Sequence, residues 1–236
     1  MEFDLQDSRR VRPFLLIALF FSCVLSAVVA SDVATEGAEA GRWTMDYEAA
    51  VALADEKDLA ILLNFTGSDW CGWCKLMDEA VYAKDEWKEY ATSKLVLVTL
   101  DFPRDTSIVP EQFVEQNERL REKYAVRGYP TYLILDSDGE TRLGQLGAGR
   151  DMTPAKFIEQ VEGVLRFRSA NVEAKVDELG EEKGAAYRAA VEEFRAAETA
   201  LKDWIATRPP RNEENEAKFS EFLEAIEEAG AKIEAF

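Results

Sequence analysis

The sequence predicts an α/β fold, a small three-layer domain with a mixed central sheet, followed by a C-terminal α-helical extension. Three observations carry this reading. Between about residues 45 and 168 the patterns run helix, strand, helix, strand, helix, strand, strand, helix, the order of a sheet covered by helices on both faces. The strand-length runs are continuously apolar, as in strands buried on two sides. From about Asn171 the composition turns to Ala and Glu, with apolar residues at helical spacing.

The elements follow in chain order. Residues 31–44, small and acidic with Gly37 and Gly41, read as a linker. Tyr47, Ala50, Val51, Leu53 and Ala54 mark a helix over about Met45 to Lys57. Leu59 to Phe65 is a strand, broken by Thr66-Gly67-Ser68-Asp69. Cys74, Leu76, Met77, Ala80 and Val81 then give a helical pattern, and a second helical piece covers Asp85 to Thr92. Leu95 to Phe102 is another buried-type strand, Pro103 to Pro110 a loop, and Glu111 to Tyr124 a charged surface helix. Thr131 to Leu135 and Thr141 to Leu146 form a hairpin around Asp136-Ser137-Asp138-Gly139. Thr153 followed by Pro154 opens the next helix, a cap residue and a first-position proline.

In the extension, residues 169–236, Tyr187, Val191, Phe194, Leu201 and Trp204 mark one face of a long helix that Arg208-Pro209-Pro210 ends. Phe219, Phe222, Ile226 and Ile233 mark another. This helical hairpin carries no candidate catalytic group. Its apolar faces serve packing, or else dimerisation or substrate docking.

Composition removes several function classes. The net charge of -18 opposes binding to nucleic acid and to anionic membrane surfaces. The absence of histidine removes Cys-His and Ser-His-Asp catalysis and histidine metal sites. Arg9, Arg10 and Arg12 precede an uncharged run from Phe14 to Ala30 that ends in small residues. Residues 1–30 therefore read as a signal peptide cleaved after Ala30, or as an anchor over residues 14–30 if retained. The expected setting is periplasmic or secreted. The closing Ile233-Glu234-Ala235-Phe236, which is not an endoplasmic-reticulum retrieval signal, points the same way.

Of three cysteines, Cys23 lies in that apolar run, which leaves Cys71 and Cys74. A Cys-x-x-Cys pair opening a helix after a strand and short loop suits redox chemistry. Unpaired N–H groups and the helix dipole favour a thiolate on Cys71, the form that attacks a disulfide. Cys74, one turn on, is placed to close a ring with Cys71 and release a mixed disulfide. Gly72 permits a tight entry into the helix, and Trp70 and Trp73 flank the sulfurs with flat apolar surface suited to unfolded chains. Burial of either tryptophan in the core is the alternative. A structural loop is the alternative for the cysteines, although so short a ring contributes little stability. A metal site would need donors from elsewhere.

Leu62-Leu63-Asn64-Phe65, then Trp70-Cys71-Gly72-Trp73-Cys74-Lys75, then Tyr124-Ala125-Val126-Arg127-Gly128-Tyr129-Pro130-Thr131 together resemble the thioredoxin superfamily over about Met45 to Phe167. The resemblance implies a thioredoxin-like fold. It also implies a cis Pro130 whose loop faces the disulfide, leaving the Tyr129 backbone free to pair with an extended substrate. It implies an exported thiol–disulfide oxidoreductase that reduces or isomerises protein disulfides through Cys71 and Cys74. Its partners would be disulfide-containing client proteins and a dithiol electron-donor protein. With no Gly-rich dinucleotide fingerprint in the sequence, no cofactor is expected.

The departures from the family are informative. Asn64 stands where thioredoxins have a buried aspartate that assists deprotonation of the second cysteine. Deprotonation of Cys74 would then rely on water or another carboxylate, with Asp69 a weak candidate. Gly-Trp between the cysteines is closer to periplasmic disulfide isomerases than to thioredoxins. The longer segment from Pro103 to Asn117 is placed to form a lip near the site. A thioredoxin-like chaperone or assembly module with incidental redox activity is the competing reading.

Overall fold

The computed structural model describes residues 33–236. The targeting segment read over residues 1–30, with Cys23 and the alternative anchor over 14–30, lies outside the described residues. Five strands form one mixed sheet in the order β1-β3-β2-β4-β5. They are β1 (Trp43–Thr44), β2 (Ala60–Thr66), β3 (Leu95–Asp101), β4 (Thr131–Leu135) and β5 (Arg142–Leu146). β3 pairs parallel with β1 and β2, while β4 pairs antiparallel with β2 and β5.

Every residue of β2, β3 and β4 is buried, which is why those runs lack alternation. The strand period of two divides their side chains between two cores. Leu62, Leu97, Tyr132 and Ile134 pack with Trp87 of α3 (Asp85–Lys94) and with Phe157 and Val161 of α5 (Pro154–Leu165). Ile61, Leu63, Phe65, Val98 and Leu133 pack on the opposite face. There they meet Ala50 and Ala54 of α1 (Tyr47–Lys57) and Leu120 of α4 (Glu111–Lys123). These are the three layers the element order predicts. Thr153 caps α5 through a bond from the Lys156 amide, with Pro154 in its first turn.

Three local differences from the sequence reading have physical reasons. Trp43 and Thr44, read as the end of a linker, form the edge strand β1. Thr44 is buried, its hydroxyl donates to the Gly37 carbonyl, and Ala34 bridges to it. Two residues are too few for a periodic signal. The helix bearing the cysteines, α2 (Gly72–Met77), continues into a π-helical turn over Asp78–Tyr82, the form that often sits at functional sites. The C-terminal segment has a short helix, α6 (Ser169–Leu179), ahead of the expected pair α7 (Glu181–Ala206) and α8 (Glu213–Glu234).

A separate cluster of Phe167, Val172, Tyr187, Val191 and Ile233 holds these helices together. Gly184 is required there, because a Cβ would lie 2.5 Å from the Val176 carbonyl oxygen. Arg168 closes the junction with the sheet. Its Nε donates to Asp136 at the end of β4 (3.0 Å), and the same carboxylate accepts the Ser169 amide (2.8 Å). No helix among the described residues is long and apolar enough to cross a membrane.

Candidate active site

Gly67 begins the site. Its carbonyl accepts from the amides of Trp70 (3.2 Å) and Cys71 (2.8 Å), turning the chain out of β2. A Cβ at Gly67 would sit 2.4 Å from the Trp70 ring, so the indole can lie against the turn only over a glycine. The sequence reading gave Gly72 a different role, a tight entry into the helix. At Gly72 a Cβ would meet nothing within 4 Å, so the entry into α2 makes no steric demand for glycine there.

Cys71 is the N-cap of α2 in extended geometry and forms a disulfide with Cys74, their Cα atoms 5.2 Å apart. The Cys74 amide donates to Cys71 Sγ at 3.2 Å. After reduction the same donor faces the sulfur that would carry the charge. Both cysteines are buried, whereas Trp70 and Trp73 are 37% and 44% exposed. Neither tryptophan is the core residue that was the alternative.

Trp70 is nevertheless fixed. Its Nε1 donates to the Phe102 carbonyl (2.9 Å), and its ring meets Tyr129 edge-on at 5.6 Å. Tyr129 packs in turn on Phe102. The Tyr129–Pro130 bond is cis. These contacts bring Trp70, Cys71 and the Tyr129–Pro130 loop, about 60 residues apart in sequence, to one surface. The long segment after β3 does form a lip. The Asp69 carboxylate accepts the amides of Arg104 and Asp105, and Arg104 lies over the Trp70 ring at 5.6 Å. On the other side Arg150 lies over Trp73 at 5.8 Å.

Asp69 is therefore a structural carboxylate. The amides of Asp105 and Arg104 hold it below the usual carboxylate range, which makes it a poor base. Another carboxyl near the site, which the sequence reading did not single out, is shifted the other way. Asn64, Thr99 and Asp101 share the sheet face that looks toward α2, and they floor a cavity of about 280 Å³. Asp78, on the π-helical turn, lines the opposite side at the solvent edge. The Asn64 Oδ1 is buried with no hydrogen-bond partner among the described residues. Desolvation, then the neighbouring Asp101 and Glu79, push the Asp78 carboxyl up to about 6. Asp101 is itself held by the amide and hydroxyl of Ser68. Asp78 is one helical turn beyond Cys74, and its amide donates to the Cys74 carbonyl. The spacing of four from Cys74 is visible in the sequence, but the cavity that raises the Asp78 carboxyl is not.

Comparison with known proteins agrees with this geometry. A family model described as thioredoxin-like matches residues 42–137. The chain is similar to the disulfide bond reductase DsbH of Chlamydia pneumoniae, at 32% identity over 125 residues, covering 52% of this chain and 72% of that protein. It is similar to thioredoxin-1 of Drosophila melanogaster at 34% identity, covering 38% of this chain and 67% of that one. Among solved structures, a DsbH oxidoreductase aligns with a TM-score of 0.49 at 25% identity, covering 70% of this chain and 96% of that chain. With a relative matched over most of its length and a Cys-x-x-Cys disulfide at the head of α2, the chain belongs to the thioredoxin superfamily, among its thiol–disulfide oxidoreductases.

Proposed function

We propose that the protein is exported and reduces disulfides in client proteins through Cys71 and Cys74. The observation that carries this reading is the Cys71 sulfur at the cap of α2, met by the Cys74 amide and bordered by two exposed tryptophans. A reductase rather than an isomerase is favoured by the similarity to a protein named disulfide bond reductase. The periplasmic or secreted setting rests on the sequence of residues 1–30.

In the reduced protein the Cys71 thiolate attacks one sulfur of the client disulfide. A Cys71–client bond forms, the client S–S bond breaks, and the departing thiolate takes a proton. Asp78, in place of the aspartate that Asn64 lacks, accepts the thiol proton of Cys74. The Cys74 thiolate then attacks Cys71 Sγ, re-forming the Cys71–Cys74 disulfide and releasing the second client sulfur as a thiol. Two electrons have passed to the client, and a dithiol protein must return them. Trp70, Trp73 and the Tyr129–Pro130 backbone form the surface along which the client lies, with Gly72 leaving the approach to Cys71 open.

A Cys74→Ser variant tests this reading. It should accumulate disulfide-linked adducts with scrambled ribonuclease or insulin that dissolve on adding dithiothreitol, and Cys71→Ser should form none. If Cys74→Ser forms no adduct while wild type and Cys71→Ser bind unfolded chains equally well, the binding-module reading replaces this one.

A further inference from the structure

We propose that the recess between the Arg127–Thr131 loop and helix α7 receives a carboxylate side chain of the bound polypeptide, so that the protein selects acidic segments beside the disulfide it exchanges. This deepens the reductase reading and rests on it for the identity of the bound chain.

The recess holds about 490 Å³ and is built from both parts of the molecule. The loop and β5 contribute Arg127 and Arg142, and α7 contributes Glu198 and Lys202. Three cations against one carboxylate is the reverse of the chain as a whole, whose net charge is -18. None of the three cations has a carboxylate within ion-pair distance among the described residues, whereas Arg166, Arg168, Arg188 and Lys232 are all paired. Arg142 is half-buried, and its guanidinium donates to the neutral Gln145 side chain at 2.7 Å. Burial, then the nearby Arg142, push the Lys202 ammonium below its ordinary value. Burial pushes Glu198 up, against the pull of Arg142. Two cations held near each other in a partly desolvated recess are the condition an entering anion relieves.

Position ties the recess to the chemistry. Arg127 and Gly128 on its wall run directly into Tyr129, whose ring touches Trp70 beside Cys71. A polypeptide lying over Tyr129 toward Cys71 is thereby brought to the chain segment that walls the recess. Leu201 and Ile205 give it an apolar wall, and Ile205 is 48% exposed. A carboxylate on a short apolar-flanked segment fits both features.

Binding to the oxidised full-length protein tests this without any redox turnover. Two fluorescent dodecapeptides without cysteine share one apolar centre, one flanked by glutamates and the other by lysines. Fluorescence anisotropy at physiological salt should give the acidic peptide about five-fold or more the affinity of the basic one. At that ionic strength the Debye length is about 8 Å, so the overall negative charge is screened while contacts inside the recess are not. Without a local site, whatever the net charge of -18 still contributes after screening can favour only the basic peptide, so the acidic preference is expected from the recess alone. Lys202→Glu and, separately, Arg127→Ser should remove the preference, and Glu198→Gln should increase it. Equal affinities, a preference for lysine, or a preference that survives both Lys202→Glu and Arg127→Ser would overturn the proposal. Failure of the reductase reading shows elsewhere, as absence of insulin reduction by the wild type.

Discussion

The central strands and the last two helices solve the problem of burial differently. Every residue of β2, β3 and β4 is buried, on a sheet covered from both sides. Helix α7, with 26 residues, buries only Gly184, Tyr187, Ala190 and Val191, all in its first half. Beyond them Trp204 packs on Phe219 and Phe222 of α8, while Ile205, Phe219 and Leu223 stay largely exposed. The sheet supplies a rigid platform for Cys71 and the Tyr129–Pro130 loop. The helices are anchored at one end and present surface at the other. The two parts thus make different demands on packing.

The largest effect is expected where the two parts meet. Arg168 is 11% exposed at the side chain and neutralises Asp136, which is 6% exposed, while also reaching Asp58. Arg168→Ala leaves a buried carboxylate without its cation and should cost about 3 kcal/mol in urea denaturation. Burial alone would raise the Asp136 carboxyl, but the amides of Ser169 and Ser137 and the Arg168 guanidinium together hold it below its ordinary value. A depressed carboxyl stabilises the fold above its unfolded value and loses that contribution as pH falls through the folded one. The difference between wild type and variant should therefore narrow below about pH 4. An undiminished loss at low pH would mean that Arg168 acts by packing alone.

Within the sheet part the next effect is catalytic. Asp78→Asn removes the proposed acceptor for the Cys74 proton and should slow release of a preformed Cys71–client adduct by about ten-fold or more at pH 7. In the wild type that rate should climb as pH rises through about 6, where Asp78 becomes charged, and the variant should lack this limb. The stability effect has the opposite sign. A raised carboxyl favours the fold below its unfolded value and loses that as pH passes about 6. Asp78→Asn should then be no less stable than wild type at pH 7. A slower release with the wild-type pH profile would make Asp78 a merely structural residue.

How far these features could be read beforehand follows from their physics. The continuous apolar runs and the Thr153-Pro154 start are local signals, and they placed β2 to β5 and α5 within a residue or two. Cys71, Cys74 and the Tyr129–Pro130 segment were legible because their order along the chain is itself a pattern. Asp78 was not, because its value depends on a cavity shared with Asn64 and Asp101, which lie on separate strands. The need for glycine at position 67 rather than 72 depends on where the Trp70 ring folds back. β1 exists through its pairing with β3 and the bridge from Ala34, both distant from it in the local pattern. The recess at Arg142 and Lys202 requires α7 to lie beside the hairpin, which periodicity in either element does not contain.

The smallest effect tests the far half of the helical pair directly. Leu223, in the middle of α8, is 46% exposed and lies outside the Phe167–Ile233 cluster that anchors α7 and α8. Leu223→Ser removes an apolar side chain that is nearly as wet folded as unfolded, so its transfer term is small. The polar replacement costs helix propensity of only a few tenths of a kcal/mol. Urea denaturation should move by no more than about 0.5 kcal/mol. Because Leu223 stands apart from both the sheet and Cys71, insulin reduction should follow the wild-type rate. A loss approaching that of Arg168→Ala, varying with protein concentration, would mean that a second molecule covers this face in solution. The contrast between a packed sheet and an open helical end would then hold for the isolated chain but not for the assembled protein.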